Sequence, residues 1–469
     1  MTKQKNQKKR GKKAENRPKP FSVFCNKYWP YFAVGLITAI SGVLRFYGLR
    51  DHLHFDLDEA THIRTIVDIY EKKTMVLRGP SASAGTDLYH GAYYYYIYLI
   101  PTLFAKGNPM GPAIFTAILS LMSVPILFGA LTKRYSMSLA LIATSLYALS
   151  SSAIAYSRWA WNPNLIPFFF ILAIFSLERL TRGKQWWLIG FAFSLSSISQ
   201  LHIGAAFYII IFFLMVPLLL GFTRKIWIWL FSFVGLVLPW LTTIIFEAKN
   251  HFSIITNFSN MLSKSGSQIP FWAHISRAWN YYVDMFGTIL HLPPIIFVVS
   301  LLCLLGSVVF KIQWRSRESR LLPIFIALSL IFSFCSSAWY SGLFFTHYAE
   351  ELFVIMPIIT ALFLKIFFEK KELTFAGIVV LAICLFNNWN AYKKEVVYGK
   401  MSYGTQKKIC KIIKDKDLSN VEIWINGKAN PAYIRYTCEK VYAVRFGNAN
   451  NFTVETDFNQ RFSYAISTK

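Results

Sequence analysis

Charge is scarce in this sequence: Asp, Glu, Lys and Arg make up 15% of 469 residues, with 23 acidic against 49 basic side chains. With 55% hydrophobic and 17% aromatic residues, that scarcity excludes a disordered chain and argues against the soluble domains such a length would otherwise hold. Six cysteines are too sparse to staple a secreted scaffold. There is no Gly-rich phosphate loop, no Ser-His-Asp order and no paired CxxC, so schemes of nucleotide hydrolysis or nucleophilic hydrolysis lack support. What is present is apolar length. Mean hydropathy is +0.40, and runs of about twenty apolar residues recur along most of the chain, the pattern of a polytopic α-helical membrane protein.

The net charge of +26 is distributed as a membrane protein distributes it, not as a nucleic-acid binder does. Ten basic residues lie in the first thirty positions, among them Lys8, Lys9, Arg10, Lys12 and Lys13. Residues 1–30 read as a basic cytoplasmic tail ahead of a retained signal anchor at Tyr31 to Leu49. Further runs at 111–131, 138–156, 163–180, 185–202, 203–222, 226–246, 291–310, 321–339, 349–368 and 373–390 bring the expectation to about eleven spans within residues 31–390. The gaps then assigned to the cytoplasm are all basic: Lys133 and Arg134, Arg182 and Lys184, Arg224 and Lys225, Lys311 to Arg320, and Lys365 to Lys371. The opposite gaps carry Arg158 alone. This parity requires residues 91–106 to lie in the outer interface, where Tyr93 to Tyr96 suit the headgroup level. It leaves outer regions at 50–110, at 247–290 and after 391. The second holds Trp272, Trp279, Tyr281 and Tyr282, suited to an interfacial helix or to a lid over a sugar site. The third, 391–469, reads as a small α/β domain with a helix carrying Ile409, Ile412 and Ile413 and strands at Val421 to Ile425, Val441 to Phe446 and Phe462 to Ile466. Cys410 and Cys438 stand there, paired or free.

Chemistry concentrates at the outer boundary. If 52–58 is extended, His52, His54, Asp56 and Asp58 share one face, and Asp58 with Glu59 opens a helix whose backbone N–H groups keep a carboxylate ionised. That arrangement suits a base and equally a plain N-cap. His54 and Asp56 also carry metal-ligand chemistry, so a divalent metal is possible, with His62 and His90 as further ligands. Arg158, within a turn of hydrocarbon, is either a phosphate clamp or a snorkelling cation between tryptophan anchors. His202, His347 and Tyr348 end or begin spans on the same face.

The order of these motifs resembles a known family. Asp58-Glu59 within Phe55 to Ala60 is followed by His-Gly-Ala-Tyr-Tyr-Tyr (His90 to Tyr95) and Gly-Asn-Pro-Met-Gly-Pro (Gly107 to Pro112). Tyr-Ser-Arg-Trp-Ala-Trp-Asn-Pro-Asn (Tyr156 to Asn164), Gln-Leu-His (Gln200 to His202) and His347-Tyr348 ahead of Pro357 complete the series. Over about residues 30–390 the chain is similar to the GT-C glycosyltransferases of family 39, which include protein O-mannosyltransferases and the related lipid A aminoarabinose transferases. The resemblance implies a GT-C-type fold and inverting transfer of a sugar from a polyprenyl-phosphate donor to a hydroxyl of a protein, lipid or glycan acceptor on the extracytoplasmic face of the plasma membrane. No cofactor beyond a possible metal is implied. Carried over, Asp58 is the general base with Glu59 beside it, and Arg158, His90, His202, His347, Tyr348 and Asn162 are candidates for the substrate site. Asn162 departs from the pattern, since relatives often have an Asp after the Ser-Arg turn and an amide takes no proton.

Two rivals come from other classes. A transporter or flippase of lipid-linked sugars would bury ionisable groups near the bilayer midplane, whereas these cluster at one boundary; a noncatalytic scaffold would use the C-terminal domain alone. The orientation is testable by itself: a cysteine placed at Asp51 should react with a membrane-impermeant maleimide from outside intact cells. Labelling only after permeabilisation contradicts the assigned sides.

Overall fold

The computed structural model describes residues 20–82, 88–132, 135–266, 270–309, 317–340, 344–397, 402–415, 422–425, 428–429, 436–438, 451–456 and 463–468. The basic residues before position 20, Lys133, Arg134, residues 311–316 and the expected strand at Val441 to Phe446 lie outside them.

Apolar residues dominate all faces of the long helices, as burial in lipid and in neighbouring helices requires. Among the described residues, seven helices are long and apolar enough to cross a bilayer: Tyr28–Phe46, Met110–Leu131, Pro163–Thr181, Ile226–Lys249, Glu318–Trp339, Leu352–Glu369 and Lys371–Tyr392. Phe271–Leu290 and Pro294–Gly306 make an eighth only if counted together across a bend of 103°. Met137–Ala148, Trp187–Leu201 and Ile203–Leu219 are apolar but shorter. Every one of the eleven expected runs is therefore helical, but length supports seven or eight crossings. The shortening has local causes. The run at 138–156 breaks at Ser150, whose side chain caps Ser151–Tyr156 and donates to the Ile289 carbonyl at 2.8 Å. The runs at 185–202 and 203–222 meet where expected, at His202, which is extended, and the second is shortened by a 3₁₀ turn, Ile203–Ala205.

The helix Tyr93–Phe104 has 12 residues, about 18 Å at 1.5 Å per residue, well short of a bilayer core of about 30 Å. Its tyrosines face inward. Tyr98 exchanges a hydrogen bond with Thr116 at 2.7 Å and Tyr94 donates to the Ala160 carbonyl at 3.3 Å, while Phe104 at the far end is 87% exposed. Helix Phe271–Leu290 is amphipathic and turns across the direction of the next helix. Its two tyrosines pack inward: Tyr281 stacks on Phe344 at 4.7 Å and Tyr282 meets Phe334 at 5.4 Å.

Arg45, at the C-terminal end of the first span, is completely buried. Its Nε donates to Ser120 at 3.0 Å and its Nη1 to the Ala148 carbonyl at 3.0 Å and to the Ser41 hydroxyl, tying three helices at one level. In the C-terminal region, helix Tyr403–Asp415 precedes an antiparallel sheet. Glu422–Ile425 pairs with Lys428–Ala429 and with Ser463–Thr468, which pairs in turn with Asn451–Thr456. Cys410 and Cys438 form a disulfide. Phe55 sits between Tyr403 and Tyr436, with ring separations of 5.6 and 5.9 Å, so this region is docked onto the loop that follows the first span.

Two motifs far apart in sequence interlock. Gly91 ends the strand Tyr89–Gly91, and a Cβ built there would stand 2.0 Å from Gln200 Oε1 and 2.9 Å from the Gln200 carbonyl oxygen. Only glycine permits that approach. Gln200 Oε1 in turn accepts from Thr243 at 2.8 Å. Replacing Gly91 by alanine should destabilise the protein by about 1–3 kcal/mol through overpacking, read as a lower unfolding midpoint in detergent. Adding Gln200→Ala should recover only part of the loss, because the backbone contact remains. An unchanged midpoint in Gly91→Ala contradicts the interlock.

Candidate functional site

The loop that follows the first span is shaped by its backbone. Gly48, at φ 57°, turns the chain out of the first span into a single helical turn, Leu49–His52. Residues 53–56 follow extended, with Leu53 and Phe55 buried, His54 half-buried and Asp56 exposed. Asp56 then caps helix Leu57–Glu71: its carboxylate accepts from Leu57 N at 2.8 Å and Glu59 Oε2 accepts from Asp56 N at 2.9 Å, a reciprocal capping box. The expected shared face of His52, His54, Asp56 and Asp58 is thus corrected to His54 and Asp56. His52 belongs to the preceding turn and packs on Gly48, and Asp58 already lies in the helix.

Burial counters the expectation that the helix start keeps a carboxylate ionised. Glu59 is 4% exposed, and burial pushes its carboxyl up to about 8 against the opposing pull of the Asp56 N–H. It is neutral at neutral pH. Asp58, on the exposed side of the same turn, is also raised, by partial burial first and by Asp56 next, with His54 acting the other way. His54 Nε2 stands 3.7 Å from Glu59 Oε1, and its ring meets Trp159 at 4.9 Å.

On the other side of that tryptophan turn, three histidines gather. His90 and His202 lie ring to ring at 4.9 Å, His347 is 6.0 Å from His202, and Tyr348 is 5.3 Å from it. Trp161 touches His347 at 4.3 Å, so the Trp159-Ala160-Trp161 turn touches the carboxylate loop at one tryptophan and the histidines at the other. His90 Nδ1 accepts from Ile203 N at 3.0 Å and His202 Nδ1 accepts from Gly204 N at 3.1 Å. Each neutral ring therefore carries its proton on Nε2 and presents an N–H donor. Burial holds His90 well below the ordinary imidazole value, with His202, His62 and His347 adding to the effect, and it lowers His347 to about 3. His62, one turn beyond Asp58, belongs to this group: burial lowers it to about 3, its Nδ1 has no partner, and its ring meets Tyr94 at 5.3 Å.

Two sequence candidates are engaged elsewhere. Arg158 donates to the carbonyls of Leu44 at 2.9 Å, Arg45 at 2.9 Å and Tyr47 at 3.0 Å, closing the C-terminal end of the first span. At 2% exposure its guanidinium is not offered to a ligand. Asn162 donates to the Leu201 carbonyl at 2.6 Å and so fixes the helix end just before His202. A metal does not fit the residues that suggested one. Asp56 is committed to the cap and His54 to Glu59 and Trp159, and no group of three or more His, Cys, Asp or Glu side chains converges among the described residues.

An apolar groove of about 370 Å³ opens beside the histidine cluster, with His202 and Tyr348 on one side and Phe207, Phe332, Trp339 and Tyr340 along it. His202 and Tyr348 were expected at the site; the other four were not, because their side chains look like any others within a span.

No protein-family model matches the chain, and a search of curated proteins finds no match. Solved structures do match. The archaeal oligosaccharyltransferase AglB from Archaeoglobus fulgidus, in complex with an inhibitory peptide and a dolichol-phosphate, is similar over 84% of this chain with a TM-score of 0.56 and 11% identity. The same enzyme in complex with Zn and sulfate gives a TM-score of 0.53 at 12% identity over 82% of the chain. The chain spans 58% and 55% of the length of those two structures. ArnT from Cupriavidus metallidurans, bound to undecaprenyl phosphate, matches over 92% of this chain and 97% of its own, with a TM-score of 0.52 and 10% identity. Similarity at this level establishes the architecture: the chain has the α-helical polytopic GT-C-type fold that these transferase structures share.

Proposed function

We propose that the chain is a membrane glycosyltransferase that moves a sugar from a polyprenyl-phosphate donor to an acceptor hydroxyl at the extracytoplasmic face, with inversion at the anomeric carbon. One juxtaposition carries the reading. An apolar groove is lined by His202, which stacks with His90 and meets His347, and a tryptophan turn runs from His347 to the loop that carries the carboxylate pair. A lipid chain suits the groove and a phosphate suits the imidazole N–H donors beside it. That the similar AglB and ArnT structures hold dolichol-phosphate and undecaprenyl phosphate supports the same use of the groove here.

In this reaction the Asp58 carboxylate accepts the proton of the acceptor hydroxyl as its oxygen attacks the anomeric carbon. The bond from that carbon to the phosphate oxygen breaks on the opposite face, and its electron pair leaves with the polyprenyl phosphate. The Nε2–H groups of His90 and His202 hydrogen-bond the departing oxygens. Neutral donors in a buried pocket stabilise developing charge without binding the ground-state phosphate too tightly. Glu59, kept neutral by burial, fixes the loop through the capping box and spares Asp58 a second adjacent charge.

The protonation states give a signed pH dependence. A base works above its pKa, so kcat/KM should rise with pH through the Asp58 value, which lies above the ordinary aspartate range. As pH passes about 8, Glu59 ionises beside it and the rate should fall, giving a bell. Asp58→Asn should reduce kcat by about 10²–10⁴-fold while leaving membrane insertion and donor binding intact. Glu59→Gln, which keeps the capping acceptor and cannot ionise, should retain most activity and lose the alkaline limb. Transfer of radiolabelled sugar from a polyprenyl-phosphate donor measures both, and near-parental rates in Asp58→Asn overturn the assignment.

A further inference from the structure

The peptide unit joining Phe55 to Asp56 is held from both sides. Its N–H donates to Glu59 Oε2 at 2.9 Å, and its carbonyl accepts from Gln406 Nε2 at 2.6 Å, across 351 positions of sequence. Gln406 is completely buried, and its other amide atom, Oε1, accepts from Thr437 Oγ1 at 2.8 Å. Thr437 is next to Cys438, whose disulfide reaches Cys410, one helical turn beyond Gln406. The chain of bonds therefore runs from Thr437 through Gln406 and one peptide to the Glu59 carboxyl. Two more contacts set the same register: Tyr403 N donates to the Leu53 carbonyl at 2.9 Å, and Tyr436 Oη donates to the Gly107 carbonyl at 2.7 Å. A hydrogen-bonded series of this kind polarises each member and leaves little freedom at its end.

We infer that Gln406 is a positioning residue for the carboxylate pair. The C-terminal region fixes the 55–56 peptide and, through it, the first turn of helix Leu57–Glu71 on which Asp58 and Glu59 stand. This rests on the proposed role of Asp58. A base displaced by about 1 Å costs on the order of 10²-fold in rate, so a side chain that never meets substrate controls turnover.

The test replaces Gln406 by methionine, which preserves volume and apolar reach but donates nothing. In transfer assays on the full chain with a polyprenyl-phosphate sugar, kcat should fall at least about 10-fold with donor KM unchanged. Thr437→Val, which leaves Gln406 in place, should give a smaller loss in the same direction. In a Glu59→Leu background, Gln406→Met should cost little more, because both act through one peptide; a full repeat of the loss there means that Gln406 acts by general stability and overturns the inference. Amide exchange read by mass spectrometry separates this idea from the reading it rests on. Exchange over 53–60 should quicken in Gln406→Met relative to the spans. Unchanged exchange there refutes the clamp whether or not the protein transfers sugar, whereas faster exchange in a protein without transfer activity refutes only the proposed reaction.

Discussion

The hydrogen bond from Ile203 N–H into His90 Nδ1 is the constraint on which the site depends. It joins the strand Tyr89–Gly91 to the break between two apolar helices, and it settles the tautomer of the ring it touches. The neighbouring bond from Gly204 N does the same for His202. Both require the chain to be extended at His202, which is why the long apolar stretch around it divides there and leaves a groove. Gly91 and Gln200 lock the two segments together, because the Gln200 side chain occupies the space that a Cβ on residue 91 would need.

Burial sets the protonation of this site more strongly than charge pairing does. Glu59 and His90 are nearly removed from water, and each favours its neutral form. Asp58 is closer to solvent, and its carboxyl is raised by partial burial first and by Asp56 next. The buried cation Arg158 is directed at three backbone carbonyls at the C-terminal end of the first span. His202, and not this guanidinium, lines the groove.

Much of this was legible in the sequence. Hydropathy located the eleven apolar runs, and a helix start near Asp58 and Glu59 was legible, although the cap is two residues earlier at Asp56. The His90-Gly91 and Gln200-Leu-His202 motifs stood out in order, but their contact comes only from the fold. The number of crossings was less legible, because a composition-based run does not register a cap at Ser150 or a 3₁₀ turn after His202. The targets of Arg158 and Gln406 were not legible, since each bonds backbone atoms more than a hundred positions away and backbone acceptors carry no sequence signature. His62 was visible only as one more histidine; its place beside Tyr94 and within electrostatic reach of His90 comes from the packing of two helices.

The most direct measurement is the position of a bound lipid phosphate. In a structure determined with undecaprenyl phosphate, the phosphate should lie within hydrogen-bond distance of Nε2 of His90 or His202, with the chain running past Phe207, Phe332 and Trp339. A phosphate bound at another surface of the protein, with the groove empty, would contradict the account.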